Sequence, residues 1–155
     1  IICAHEDIKM ADEFYDAFSI QIRRGYVDVW HQNLIHAGSV IRTETEANMN
    51  KADAIMVLLS KQLFKLKEGN QNDKSNYKLF VSASEICEKQ NKILIPVLIE
   101  FCDWPNTSFE SKQILAKYEN DDKPTPITSK KWDNREHAIT TALEQINDIL
   151  NKNRI

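Results

Sequence analysis

Glycine is scarce: the 155 residues hold three, Gly25, Gly38 and Gly69, standing far apart. No G-x-G-x-x-G or G-x-x-x-x-G-K-[ST] can be drawn through them, which excludes an ordinary Rossmann or P-loop phosphate site. Cysteine is equally sparse. Cys3, Cys87 and Cys102 are odd in number and lack C-x-x-C or metal-ligand spacing, so small buried thiols in a reducing, cytoplasmic setting are expected rather than a disulfide framework. His5, His31, His36 and His137 show no paired spacing such as H-x-x-x-H, and no metal site is expected. Long apolar runs are missing as well: nothing approaches the roughly 18 residues that span a bilayer, and no stretch is built like a signal peptide. Charge of one sign does not accumulate, since 20 basic and 23 acidic residues, net −3, are spread along the chain. Without a basic footprint, nucleic acid is not an expected partner.

What is present fits one α/β domain over residues 1–155, whose 42% hydrophobic content supports a single core of ordinary size. The chain opens at Ile1 inside an apolar run and without Met, and is expected to be a domain of a longer protein. Asp7 is placed to cap a helix with the stripe Ala11, Phe14, Phe18, Ile22, ending at Gly25. Tyr26–Trp30 is predicted as a short strand. Ser39 is predicted to cap a helix reaching Ala52, with Ile41, Thr45, Asn48, Met49 and Ala52 turned inward. Ala54–Ser60 and Ile93–Ile99 are continuous apolar runs, as strands covered on both faces of a parallel sheet should be, with a local irregularity at Pro96. Between them the polar tract Lys65–Asn76 is expected to be a protease-sensitive insertion before a helix at Tyr77–Gln90. Pro124–Thr128 is predicted as a further strand. The last helix is expected to open with Asp133 and Glu136 as a capping box and to turn Ala138, Ile139, Ala142, Leu143, Ile146, Ile149 and Leu150 to one face. Alternation of this kind predicts a doubly wound parallel sheet with right-handed crossovers.

Ligands of such a sheet sit beyond the carboxyl ends of its strands, which directs attention to the loops after Cys3, Trp30, Ser60, Glu100 and Thr128. A phosphoacceptor signalling domain of this shape needs acids after the first strand and an aspartate after the third. Glu6 and Asp7 are available, but Ser60 stands where the aspartate is required, and that reading fails. The stretch VWHQNLIHAG, Val29 to Gly38, combines a Trp, two His and two adjacent aliphatic residues in a polar setting. That is the composition of a contact loop.

Taken in order, AHED (Ala4 to Asp7), DVWHQNLIHAG, NKADAIMVLLS (Asn50 to Ser60), ILIPVLIEFCDWPNTSF and KWDNREHAI (Lys131 to Ile139) resemble the Toll/interleukin-1 receptor (TIR) domain, particularly its bacterial branch, as far as Leu150. The resemblance implies a flavodoxin-like, doubly wound five-stranded parallel sheet flanked by helices. It makes VWHQNLIHAG the second strand and the BB loop, the segment TIR domains use for assembly and for closing over substrate. Two functions follow from it. One is assembly with other TIR domains in signalling, here in a bacterial stress or defence protein carrying a fused sensor or effector domain. The other is cleavage of the nicotinamide–ribose bond of NAD+, a substrate rather than a cofactor. In that chemistry a carboxylate stabilises an oxocarbenium-like transition state. The family supplies it as a glutamate near the start of the helix after the third strand, commonly in W-x-x-x-E.

YKLFVSASEICEK, Tyr77 to Lys89, departs from that pattern. It has no Trp, and counting back without gaps from the following strand sets Ala83 at the catalytic position. Aligning Ala83 with the family's small residue sets Leu79 there instead. Glu85 is the nearest carboxylate, about 200° around the helix from Ala83 and off the stripe Leu79, Phe80, Ala83, Cys87. With Glu88 it forms a solvated acidic face, and it is catalytic only if the helix register shifts. The resemblance sets His5, Trp30 and His36 beside NAD+ in an active enzyme. It makes Leu34, Ile35, His36, Gly38 and Trp104 the interface candidates, with aromatic and aliphatic anchors supplying most of the contact energy. The expectation is an assembly module, with NAD+ hydrolysis through Glu85 as the alternative.

Overall fold

The computed structural model describes residues 1–35, 40–65, 75–104 and 113–153. At its centre β1 (Ala54–Leu59) and β2 (Ile93–Leu98) pair in parallel, Ala54 opposite Ile93 and Leu59 opposite Leu98. Side chains alternate across a strand, and here both faces are covered. Met56, Leu58, Ile95 and Val97 enter one core with α1 (Ile8–Ala17) and α6 (Arg135–Lys152). Ile55, Val57, Leu59 and Leu98 enter a second core with α3 (Ile41–Lys51), the short α4 (Lys61–Phe64) and α5 (Ser75–Gln90). The continuous apolar runs therefore are two-sided strands, as expected.

Single bridges extend the sheet on either side. Ile2 pairs with Val57, its N–H donating to Met56 C=O and its C=O accepting from Leu58 N–H. Leu115 pairs with Val97, its N–H donating to Pro96 C=O. A strand residue points its N–H and C=O to the same side, so the N–H that Pro96 lacks falls on the Leu115 side and leaves the β1–β2 ladder whole. β2 thus passes through Pro96 without a break in its register, and the local irregularity expected there is absent from the pairing with β1.

Several local expectations are corrected. Tyr26–Trp30 forms no strand ladder among the described residues; Trp30 C=O accepts from the Ile1 nitrogen at 2.6 Å. Pro124–Thr128 is irregular chain ending in a turn at Ile127 and Thr128 rather than a strand, held at the end of β2 by Ile127 N–H to Leu98 C=O and Thr128 N–H to Ile99 C=O. Asn134, not Asp133, caps α6 by accepting from His137 N–H at 2.8 Å, so Asp133 and Glu136 make no capping box. The helix expected from Ser39 begins at Ile41 behind Val40, and Ile41 is exposed while Thr45 and Met49 carry the buried face. Ser39 itself lies outside the described residues, as does most of the Lys65–Asn76 tract.

The first helical stripe holds, with Ala11, Phe14 and Phe18 buried and Ile22 packed beside them, although a break at Phe18 separates α1 from α2 (Ser19–Arg23). Gly25 ends α2 at φ +69°, where Tyr26 N–H reaches Gln21 C=O and Gly25 N–H reaches Ile22 C=O. That pairing is a Schellman closure, for which a left-handed glycine is suited. At the other end of α3, Lys92 Nζ donates to the carbonyls of Met49, Asn50 and Ala52, neutralising a helix C-terminus with a cation.

Candidate functional site

The carboxyl ends of the central strands converge on a small polar hub. The chain leaves the Ile2 bridge through Cys3 and Ala4 into a 3-10 turn, His5–Asp7, which brings Asp7 over β1. Asp7 does not cap α1 with its side chain; its carboxylate accepts from Ser60 Oγ instead. Ser60, fully buried just past β1, also accepts from Leu63 N–H and so caps α4. Its donor and an acceptor lone pair are thus both engaged. Glu100, past β2, pairs with Lys61 Nζ at 3.6 Å on the exposed rim. Burial pushes the Asp7 carboxyl above the usual range, Ser60 opposes this, and Glu100 and Glu6 add to it.

No activated nucleophile emerges from this hub. Ser60 is buried and donates to an acid. The nearby thiols are raised by burial, Cys3 to about 12 and Cys102 to about 11, so neither supplies a thiolate at neutral pH. Among the described residues no three His, Cys, Asp or Glu side chains are grouped to hold a metal ion. The hub joins the ends of three neighbouring chain segments, which is a structural task.

Beside it, His31 anchors the start of the loop that the resemblance equates with the BB loop. His31 is 2% exposed, tilted against Tyr15 at 5.1 Å between ring centroids, with Nδ1 3.6 Å from Asp12 Oδ1. Asn33 Nδ2 donates to both Asp12 oxygens, and Cys3 Sγ lies 3.9 Å from Gln32 Oε1. Asp12 on α1 therefore fixes residues 31–33. Sequence reasoning did not single out His31 for burial, because a lone histidine in a polar loop carries no periodic signal.

Burial lowers the His31 pKa below 6.5, with Asp12 acting in the opposite direction. A depressed folded-state value means that the stability His31 contributes is present above its unfolded value and is lost as pH falls through the folded one. The parent should accordingly lose more thermal stability between pH 7 and pH 5 than His31→Gln. Equal losses in melting temperature would show that His31 titrates alike folded and unfolded.

The remaining sequence candidates do not form one cluster. His5 is exposed, Trp30 is half-buried against the second core, and Trp104 packs against that same core rather than standing free. Leu34 is 41% exposed and Ile35 is half-buried, while His36 and Gly38 lie outside the described residues. Glu85 is on the outer face of α5, its side chain 58% exposed and 3.6 Å from Lys89 Nζ. Ala83, one of the two residues aligned with the catalytic position, is fully buried.

The parallel strands, their two-sided helical cover and a polar edge at the strand carboxyl ends define an α/β domain. The family model for the TIR domain matches residues 1–125, and the chain belongs to the TIR domain family. A relative described as uncharacterized protein y4lF, from Sinorhizobium fredii (strain NBRC 101917 / NGR234), is 25% identical over 109 residues, covering 68% of this chain and 31% of that protein. The match thus spans less than a third of the relative's length. No solved structure matches the chain. Among the described residues no helix is long and apolar enough to cross a membrane.

Proposed function

We propose that this TIR domain is a signalling and assembly module of a cytoplasmic bacterial stress or defence protein, working through contacts with other TIR domains and fused to a sensor or effector domain. The observation supporting assembly over hydrolysis is the inner face of α5. Leu79, Phe80, Ala83 and Cys87 all pack into or against the second core, and the nearest acid, Glu85, is turned outward onto Lys89. The chemistry of NAD+ cleavage rests on a carboxylate aimed at the ribose, and that stripe carries none. The five-stranded flavodoxin-like reading draws support from the order of neighbouring segments: Trp30 beside Ile1, Ile2 beside β1, β1 beside β2, and β2 beside Leu115.

Assembly places its energy in a few exposed loop side chains. Leu34, Val40 and Ile41 are exposed apolar residues on either side of residues 36–39. Leu34→Asp should change stability by no more than about 0.5 kcal/mol, as surface substitutions do, while lowering concentration-dependent light scattering. Ile35→Asp, at a half-buried position, should lower the melting temperature as well. Loss of stability in Leu34→Asp without a change in association would move this loop from the interface to the core. Incubating the assembled protein with NAD+ should release neither nicotinamide nor ADP-ribose. Turnover that Glu85→Ala abolishes would instead establish the glycohydrolase, with His5, Trp30 and His36 as substrate contacts.

A further inference from the structure

Among the described residues, Nδ1 of His31 is the one buried side-chain nitrogen or oxygen without a hydrogen-bond partner. Buried polar groups are normally paired, so such an atom needs a reason. The Asp12 carboxylate stands 3.6 Å from it, beyond hydrogen-bond reach, and both carboxylate oxygens already accept from Asn33 Nδ2, at 3.1 and 3.2 Å. The Asp12 side chain is 41% exposed against 3% for His31, so water screens the help it can give a charge on the ring. The other groups facing the imidazole are Asp16 and the tilted Tyr15 ring from α1, and the Ile1 amino group from the first segment. Asp16 favours an imidazolium, as Asp12 does, and the amino group opposes one. Desolvation outweighs both carboxylates, and the docked ring is held neutral. A proton added in place would put a charge into a buried site with no acceptor within reach.

We propose that His31 is a proton-operated latch: neutral, it holds residues 31–35 against α1, and its protonation releases them. The segment has few other holds. A 3-10 turn closes it internally, with Leu34 N–H donating to His31 C=O at 3.0 Å and Ile35 N–H to Gln32 C=O at 3.3 Å. Outside the turn, Asn33 reaches Asp12 on the exposed side, and the Cys3 thiol lies 3.9 Å from Gln32 Oε1. Asn33 and Gln32 do not titrate, and burial pushes the Cys3 thiol up to about 12. Histidine is the side-chain type whose charge changes between pH 5 and 8, and here it is the member of the clasp that lies buried. Once charged, the ring is better solvated away from Tyr15 than beneath it, so acid favours the undocked segment. The position of Leu34, the exposed side chain at the end of the turn, thereby comes under the control of a single proton. The proposal is independent of the assembly reading, since it concerns how residues 31–35 are held, whichever surface they serve.

The test follows the full chain by NMR from pH 7 to pH 5, across the ordinary histidine value of 6.5. It reads the ring-carbon shift of His31 and the exchange protection of the Leu34 and Ile35 amides, corrected for intrinsic exchange and referred to the Val57 amide in β1. In the parent, protection of Leu34 and Ile35 should fall at least about threefold relative to Val57 over that range, in step with the titration of the ring. His31→Gln, which keeps a polar side chain but cannot titrate, should show the same relative protection at both ends. A fall kept in full by His31→Gln would assign the release to another group and overturn the proposal. A parent whose ring titrates while Leu34 and Ile35 stay equally protected would overturn it as well, because the charged ring would then remain docked. Should His31→Gln fail to fold, the parent alone decides: ring titration and loss of protection must share one midpoint, and separate midpoints reject the latch.

Discussion

Phe80→Ala should destabilise the domain by about 3–5 kcal/mol, the usual cost of emptying a buried aromatic site, and lower its melting temperature by roughly 10 °C. Phe80 is 1% exposed at the centre of the second core. Its ring meets Phe64 edge-on at 5.5 Å and Tyr77 at 5.7 Å between centroids. It is thus a side chain that ties α5 to α4. Calorimetry gives the magnitude. A loss below about 1 kcal/mol would mean that α5 is docked by other residues, and the outward placement of Glu85 would lose its anchor.

Ser60→Ala is expected to cost about 2–3 kcal/mol at pH 7, combining a lost helix cap with a carboxylate deprived of its donor. The pH dependence carries the diagnosis. Asp7 has a folded-state pKa raised first by burial, then by Glu100 and Glu6, against the pull of Ser60. A raised carboxyl value means that stability linked to Asp7 is fully present below its unfolded value of about 3.9 and is lost as pH rises through the folded value. Removing Ser60 deepens that loss at neutral pH. At pH 3, below even the unfolded value, the protonated carboxyl no longer needs the donor, and the penalty should shrink toward the roughly 1 kcal/mol of the cap alone. Urea unfolding at the two pH values measures both penalties; identical ones would show that the Asp7–Ser60 contact carries no charge-dependent energy.

How much of this was visible in the amino-acid order depends on how local each cause is. The runs 54–59 and 93–98 declare two-sided strands because burial on both faces removes alternation, and the stripe of α6 follows from the helical period alone. Asp7 shows where such reasoning stops. Its position suits an N-cap, yet Ser60, 53 residues away, offers a buried hydroxyl that wins the carboxylate, and no local pattern encodes that competition. Asn134 displaces Asp133 by a single position, within the ordinary uncertainty of helix ends. Residues 26–30 have a strand's alternation, but a strand also needs bonded neighbours, and the neighbour is decided by the rest of the sheet. At the candidate site, the outward angle of Glu85 was legible from helix geometry, whereas the Asp12 clasp on His31 and Asn33 joins residues from two elements and was not.

Pro96 has a consequence for how copies of this domain can grow into larger bodies. Open strand edges are templates on which further chains add, and proteins that must stay discrete blunt them. Beyond β2 the sheet meets a position with no amide hydrogen, filled on that side by the single Leu115 contact. A foreign strand that displaced residues 113–116 would find a gap in the row of donors and a weaker grip. Runaway edge-to-edge stacking is disfavoured on this flank, which leaves ordered association to side-chain surfaces, where geometry limits which neighbour fits.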